Sequence, residues 1–359
     1  MYRVPWIYGR LLCGTYYRFE RIGGQVPARG PLLVVTNHSN GLVDGGMLFL
    51  ATARPLRIII KSTILRMPVV GPLARWAGCV PVYRKQDNED TSKNQDAFRA
   101  VHAALREGGA ISIFPEGTSV DPLPGLRPFR GGAARMALGA EAADPPAGVK
   151  ILPVGLVYEE RDAFRSRAYA WIGEPRGVEH LREEYARDPE AAVARLTAEI
   201  EDQVRAVTLE LEEFSDRARL DAAERLLPGD ERTPTARLQD LAGGLRWLRE
   251  HRPDEARSLL DDLARLGRRP LTAGLGSFGE AAPPSTLPGR MIAGALVVLW
   301  AFAVLTCVLP WLPVLGPIQL LARYARPSAD KFVTMILVSA SVLIPIWTAL
   351  AVALATAAA

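Results

Sequence analysis

The chain is poor in cysteine and histidine, and its first quarter is almost without acidic residues. Its three cysteines, Cys13, Cys79 and Cys307, form no CxxC pair and no metal-ligand cluster. That argues against a disulfide framework or a bound metal and suits a reducing compartment. A signal peptide is not expected either: in "MYRVPWIYGRLLCGTYYRFE" the apolar stretch is broken by Arg10, and no small-residue cleavage site follows. Up to Lys85 the only acidic side chains are Glu20 and Asp44, against basic residues spread from Arg3 onward. This asymmetry predicts an anionic partner. No recognition-helix, zinc-finger or RNP-type signature is present, so nucleic acid is set aside in favour of a lipid surface.

What is abundant is apolar sequence at the carboxyl end. No charged residue occurs from Met291 to Leu321 or from Phe332 to Ala359, and both runs exceed the roughly 20 residues that span a bilayer core. Residues 291–359 are therefore expected to form two membrane segments, a hairpin. Pro310, Pro313 and Pro317 in the first run leave a kinked or re-entrant course open. Arg268, Arg269 and Arg290 before the first run, and Arg323, Arg326 and Lys331 after it, draw both flanks to the cytosol. The expectation is a membrane protein with its folded domain on the cytoplasmic face. At the other end, residues 1–30 mix Trp6, Tyr8, Tyr16 and Tyr17 with Arg3, Arg10 and Arg18. This composition suits an amphipathic interfacial segment, with an ordinary packed helix as the alternative.

Between these ends, apolar runs alternate with helical patterns. "PLLVVT", "RIII", "CVPVY", "AISIF", "ILPVGLVY" and "AYAWIG" read as strands, several of them covered on both faces. Helices are predicted after Asp44, from Ser92 to Arg106 and from Gly131, giving an α/β domain over 31–176. Residues 177–266 turn Arg/Glu/Ala/Leu-rich, and Val193, Leu196, Ile200, Val204, Val207, Leu211 and Phe214 recur at helical spacing as a packing face. A Gly/Pro-rich linker fills 267–290. Its "GLGSFG" fits a dinucleotide pattern by accident, since no strand precedes it and no helix follows it.

The chemistry concentrates in "VVTNHSNGLVDGG", residues 34–46, where a strand ends in Asn37 and His38 and five residues separate His38 from Asp44. On an unbroken helix these two would lie roughly 120° apart, so a turn at Asn40-Gly41 must bring them together. An aspartate on one ring nitrogen fixes the tautomer and frees the other nitrogen to take a proton. Such a pair also serves structure alone. No G-x-S-x-G elbow or reactive cysteine accompanies it, which favours a base acting directly on a substrate hydroxyl. Two further strand ends carry "CVPVYRK" with Arg84 and "ISIFPEGTS" with Glu116 and Gly117, and strand carboxyl ends are where open α/β sheets bind ligands. His102, His180 and His251 read as solvated surface residues, and Lys61 as a weak anion-binding candidate.

Taken in order, "NHSNGLVD", "CVPVYR", "FPEGTS" with "LRPFRGGAARMAL", and "ILPVGLVY" resemble the glycerolipid acyltransferase superfamily of glycerol-3-phosphate and 1-acylglycerol-3-phosphate acyltransferases. The resemblance covers roughly residues 31 to 175. The five-residue His–Asp spacing and "FRSRA" resemble the fungal-type glycerol-3-phosphate branch. The resemblance implies an open mixed sheet flanked by helices and a general base, His38, oriented by Asp44. It also implies an acceptor phosphate held by Arg84 with Glu116 and Gly117, a contribution from Arg130, and Pro153 on the acyl-donor side. It implies no cofactor or metal: acyl-CoA or acyl carrier protein would bring the acyl thioester, glycerol 3-phosphate or lysophosphatidate would accept it, and the bilayer would be a partner. A second copy of the chain is left open as a partner. Other acceptors, a lysolipid or an amino lipid, and a non-catalytic lipid-binding scaffold remain as alternatives.

Overall fold

The computed structural model describes residues 3–52, 54–67, 70–84, 87–117, 126–209, 216–227, 234–267, 317 and 329–358. Eight strands build one sheet: β1 (Arg18–Gly23), β2 (Leu32–Thr36), β3 (Arg57–Lys61), β4 (Val80–Val82), β5 (Ala110–Ile113), β6 (Lys150–Tyr158), β7 (Arg167–Ile172) and β8 (Arg176–Gly177). Their order is β1-β7-β6-β2-β5-β3-β4, with β8 beside β6. All neighbours are parallel except β6 with β7 and β6 with β8, so the sheet is open and mixed. β2 and β5 are buried at every position, which is why they read as unbroken apolar runs rather than alternating ones.

Helices cover both faces. On one lie α1 (Arg3–Tyr16) and α2 (Gly41–Ala51), packed with Leu32, Val34, Leu156 and Ala170. Their close approach depends on Gly46, where a Cβ would sit 2.4 Å from Cys13 Sγ. The short α3 (Val70–Trp76) precedes β4. On the opposite face lie α4 (Asn94–Arg106), α5 (Gly132–Glu141) and α7 (Pro189–Arg205), with the short α6 (Arg182–Arg187) before the last. Val193, Leu196, Ile200 and Val204 of the predicted stripe form the buried face of α7, while Leu211 and Phe214 lie outside the described residues. Three further helices, α8 (Asp216–Leu226), α9 (Pro234–His251) and α10 (Pro253–Gly267), pack on Val157, Tyr169 and Trp171 at the β7 end of that face.

Two expectations for the chain ends change. Residues 1–30 are not simply an interfacial segment: α1 packs on α2, and residues 18–23 add an edge strand parallel to β7. The charged run "RFERIG" hides this strand because most of its side chains are exposed, and its backbone finds a partner only in the tertiary fold. The membrane hairpin over 291–359 is not supported. Among the described residues no helix is long and apolar enough to cross a membrane. The run 291–321 and the linker lie almost wholly outside the described residues. The second run forms α11 (Ala329–Ala358), which carries Pro345 inside it and packs Val333, Ile336 and Leu337 against the α1/α2 side of the domain.

Candidate active site

After β2 the chain crosses one face through α2, and after β5 it crosses the other through α5. Connections leaving adjacent strands in opposite senses open a crevice at their carboxyl ends. Asn37 and His38 extend from β2 into this crevice, and Glu116 and Gly117 follow β5.

Asn37 continues the ladder with its side chain. Its Nδ2 donates to the Leu156 carbonyl at 2.9 Å, and the Leu156 N–H donates to its Oδ1 at 2.7 Å. His38 is thereby fixed one residue past a locked position. Its Nδ1 lies 2.9 Å from Asp44 Oδ2, and its ring stacks on Phe114 with centroids 4.1 Å apart. Among the described residues Nε2 has no protein partner, and the side chain is 17% exposed. The turn works as expected: α2 begins at Gly41, with positive φ, so His38 precedes the helix and Asp44 occupies its first turn.

The Asp44 carboxylate is fully buried yet well supplied. Its Oδ2 also accepts from the N–H groups of Ser39 (2.8 Å) and Asn40 (2.7 Å), and its Oδ1 accepts from the Tyr158 hydroxyl at 2.6 Å. Four donors thus converge on one buried carboxylate and satisfy it within the fold. The turn is braced further by the Arg161 guanidinium, which donates to the Ser39 carbonyl at 2.7 Å, and by Tyr17, which accepts from Asn40 Nδ2 at 3.0 Å and donates to the Arg161 carbonyl at 2.5 Å.

Glu116 faces this turn. The His38 N–H donates to its Oε1 at 2.8 Å, and the Arg127 N–H reaches its Oε2 at 3.4 Å. Burial pushes its carboxyl above the ordinary range, against the two N–H donors that hold it down. Both carboxylate oxygens thus serve the backbone, so Glu116 ties the β5 loop to the His38 turn. Gly117 has φ +72°, and a Cβ there would lie 2.9 Å from Arg130 Nε, so the position favours glycine for both its backbone and its neighbour. Arg84 reaches the same residue from β4, donating to the Gly117 carbonyl. Two guanidiniums therefore meet at Gly117. That of Arg84 is already engaged: its Nε and a terminal nitrogen lie 2.8 and 2.7 Å from Asp87 Oδ2.

The remaining candidates lie apart. Pro153 is buried within the sheet opposite Val35. Its carbonyl accepts from Gly173 at 2.9 Å, and β6 pairs with β8 before it and with β7 after it. The missing N–H therefore falls at a break between partners, which lets a proline sit in a central strand. Lys61 ends β3 exposed. His102 is not a solvated surface residue: it lies against Gly139 and Phe98, and burial lowers its pKa. His180 is paired with Glu199 at 2.9 Å on the surface, and His251 stacks on Trp247. Burial pushes the Cys13 thiol up to about 12 and Cys79 up to about 11, so neither is a thiolate at neutral pH. Tyr158, Arg161 and Tyr17 belong to the site although no sequence signal marks them.

The histidine–aspartate pair and the Arg84–Gly117 contact lie within a stretch that matches a family model. The Acyltransferase family model matches residues 20–157. Glycerol-3-phosphate O-acyltransferase 2 of Saccharomyces cerevisiae is 40% identical over 134 residues, 37% of this chain and 18% of its own length. A 1-acyl-sn-glycerol-3-phosphate acyltransferase of Borreliella burgdorferi is 30% identical over 132 residues, 36% of this chain and 47% of its own. The chain thus spans less than half the length of either relative. Among solved structures, the 1-acyl-sn-glycerophosphate acyltransferase PlsC from Thermotoga maritima covers 57% of this chain and 77% of its own at 19% identity and a TM-score of 0.40, a likeness too distant to argue from.

Proposed function

We propose that this protein is an O-acyltransferase that moves a fatty acyl group from a thioester, acyl-CoA or acyl carrier protein, to a hydroxyl of glycerol 3-phosphate or lysophosphatidate. The observation that carries this reading is the 2.9 Å contact between His38 Nδ1 and Asp44. Asp44 accepts the hydrogen bond of Nδ1–H, which leaves Nε2 of His38 to act as the base. The acceptor O–H gives its proton to Nε2 as its oxygen bonds to the thioester carbonyl carbon. The C–S bond then breaks, and the leaving thiolate recovers the proton from the imidazolium. Asp44 stabilises that imidazolium throughout. Arg84 and Arg130, meeting at Gly117, supply the charge for an acceptor phosphate.

A specific observation favours a second reading of the acceptor. Because Asp87 already compensates Arg84, a phosphate-free lysolipid hydroxyl is the alternative, and the experiment separates the two. Purified protein is supplied with labelled acyl-CoA or acyl carrier protein and a panel of acceptors with and without phosphate, and the lipid products are resolved. Acylated glycerol phosphate or phosphatidate is the expected outcome. Thioester hydrolysis alone, or no turnover with any acceptor, sinks the assignment.

The reading extends to a lipid surface. Val4, Ile7 and Leu11 of α1 recur on one helical face and are largely exposed, in a basic amino-terminal region that suits an anionic bilayer. Flotation with anionic vesicles should recover the protein, and Ile7→Glu with Leu11→Glu should weaken that recovery. Flotation unchanged in the double variant would remove α1 from the contact.

A further inference from the structure

We propose that Tyr158 is a positioning residue for the base: its hydroxyl, 2.6 Å from Asp44 Oδ1, sets the orientation and hydrogen-bonding strength of the carboxylate that holds His38. The inference rests on the His38 reading above and deepens it. Asp44 uses its two oxygens unequally. Oδ2 serves His38 and the amides of Ser39 and Asn40, whereas among the described residues Tyr158 is the protein donor found at Oδ1. Tyr158 and Asp44 are both completely buried. Water therefore cannot take the hydroxyl's place without opening the core, and the tyrosine decides where the carboxylate's charge is spent.

The direction of the effect follows from that geometry. A donor at Oδ1 draws carboxylate charge away from the oxygen shared with His38. Without it, Oδ2 becomes the stronger acceptor and binds the imidazolium more tightly. The protonated form of His38 is then favoured, and the base becomes neutral only at higher pH. Ionisable groups facing the pair from other elements keep their places. Glu116 after β5 stays on the His38 N–H, Arg161 after β6 on the Ser39 carbonyl and Tyr17 on Asn40, while burial holds Cys13 of α1 as the neutral thiol.

Tyr17 provides an internal comparison. Its hydroxyl is equally buried, its ring lies 5.3 Å from that of Tyr158, and it bonds Asn40 and the Arg161 carbonyl rather than Asp44. Removing the Tyr158 hydroxyl costs one buried hydrogen bond and removing that of Tyr17 costs two. Only one of the two removals touches the carboxylate.

The test is Tyr158→Phe beside Tyr17→Phe in the full chain, with kcat/KM measured against pH, acceptor and donor KM measured separately, and the His38 ring titrated by imidazole NMR. Tyr158→Phe should lower kcat severalfold at neutral pH with both KM values little changed, because less of His38 is then neutral and the carboxylate that orients it has lost one of its anchors. Its acidic limb and the His38 ring titration should both move to higher pH by about half a unit or more, a shift that reports the changed partner of the imidazolium. Tyr17→Phe should lower thermal stability at least as much while leaving the limb and the ring titration in place. An unmoved limb and ring titration in folded Tyr158→Phe, or the same shift in both variants, overturns the proposal. His38→Ala separates this from the parent reading. If it is inactive while Tyr158→Phe shows no shift, only the positioning role fails; if it remains active, the base assignment itself fails.

Discussion

The two sides of the crevice hold their charges in opposite ways. On the His38 side the carboxylate is wholly buried, accepts from four donors, and sits in a turn pinned to β6 by Asn37 and to the β5 loop by Glu116. On the Arg84 side the guanidinium rests on a neighbouring carboxylate three residues along, and both side chains are partly open to solvent, at 17% and 20%. A carboxylate wholly buried and held by four donors does not reorganise when charge develops beside it, which is what the proposed base needs. A partly exposed ion pair is weak and exchangeable, which is what a site for an incoming anion needs. Under the proposed reaction, one side would stay still and the other would trade partners.

The largest break in that comparison is His38→Ala. Turnover should fall by about 10²- to 10⁴-fold, the usual worth of a positioned general base. Thermal unfolding should stay near that of the parent chain, because Asp44 keeps its three other donors. Near-normal turnover in a folded His38→Ala protein would refute the mechanism.

Arg84→Ala tests the exchangeable side. Loss of a charge-assisted contact to phosphate costs roughly 1.5 to 3 kcal/mol, about 10- to 150-fold, and should raise acceptor KM while donor KM stays put. A phosphate-free acceptor should be almost unaffected. Equal weakening of phosphate-bearing and phosphate-free acceptors would make Arg84 a structural residue.

The smallest effect sharpens the contrast most. If Asp87 occupies Arg84 only until phosphate arrives, Asp87→Asn should lower acceptor KM, by no more than about fivefold, since partly exposed ion pairs contribute ~0.2–1 kcal/mol. Raised ionic strength should narrow the gap between variant and parent. A higher KM in the variant would show instead that Asp87 aims the guanidinium.

The strands were legible because their apolar runs have no alternative to burial. "LLVVT" is covered on both faces, and "KILPVGLVY" is buried from its second residue to its last. The His38 turn was legible too, since six positions of local spacing and an Asn-Gly pair suffice to show that strand must give way to helix before Asp44. β1 was not, because its sequence is charged and its only claim to be a strand is the edge of β7. Spacing alone also could not show that the Glu116 carboxylate accepts from the amides of His38 and Arg127. Nor could spacing show that Arg84 already has a carboxylate partner. An i,i+3 pair after a strand can point in many directions until the loop is closed.

The order of blocks along the chain, the alternation of strand and helix, and the meeting of His38 with Asp44 are consequences of local pattern: burial periodicity and turn chemistry act over a few residues at a time. The contacts that hold the pair in place span 119 residues from Asn37 to Leu156, 114 from Asp44 to Tyr158 and 122 from Ser39 to Arg161. No local propensity encodes a hydrogen bond across such a separation. It forms only when β2 and β6 lie side by side and bury the tyrosine, the asparagine and the arginine against the same turn, so the tertiary fold, not the motif, decides how firmly His38 and Asp44 are held.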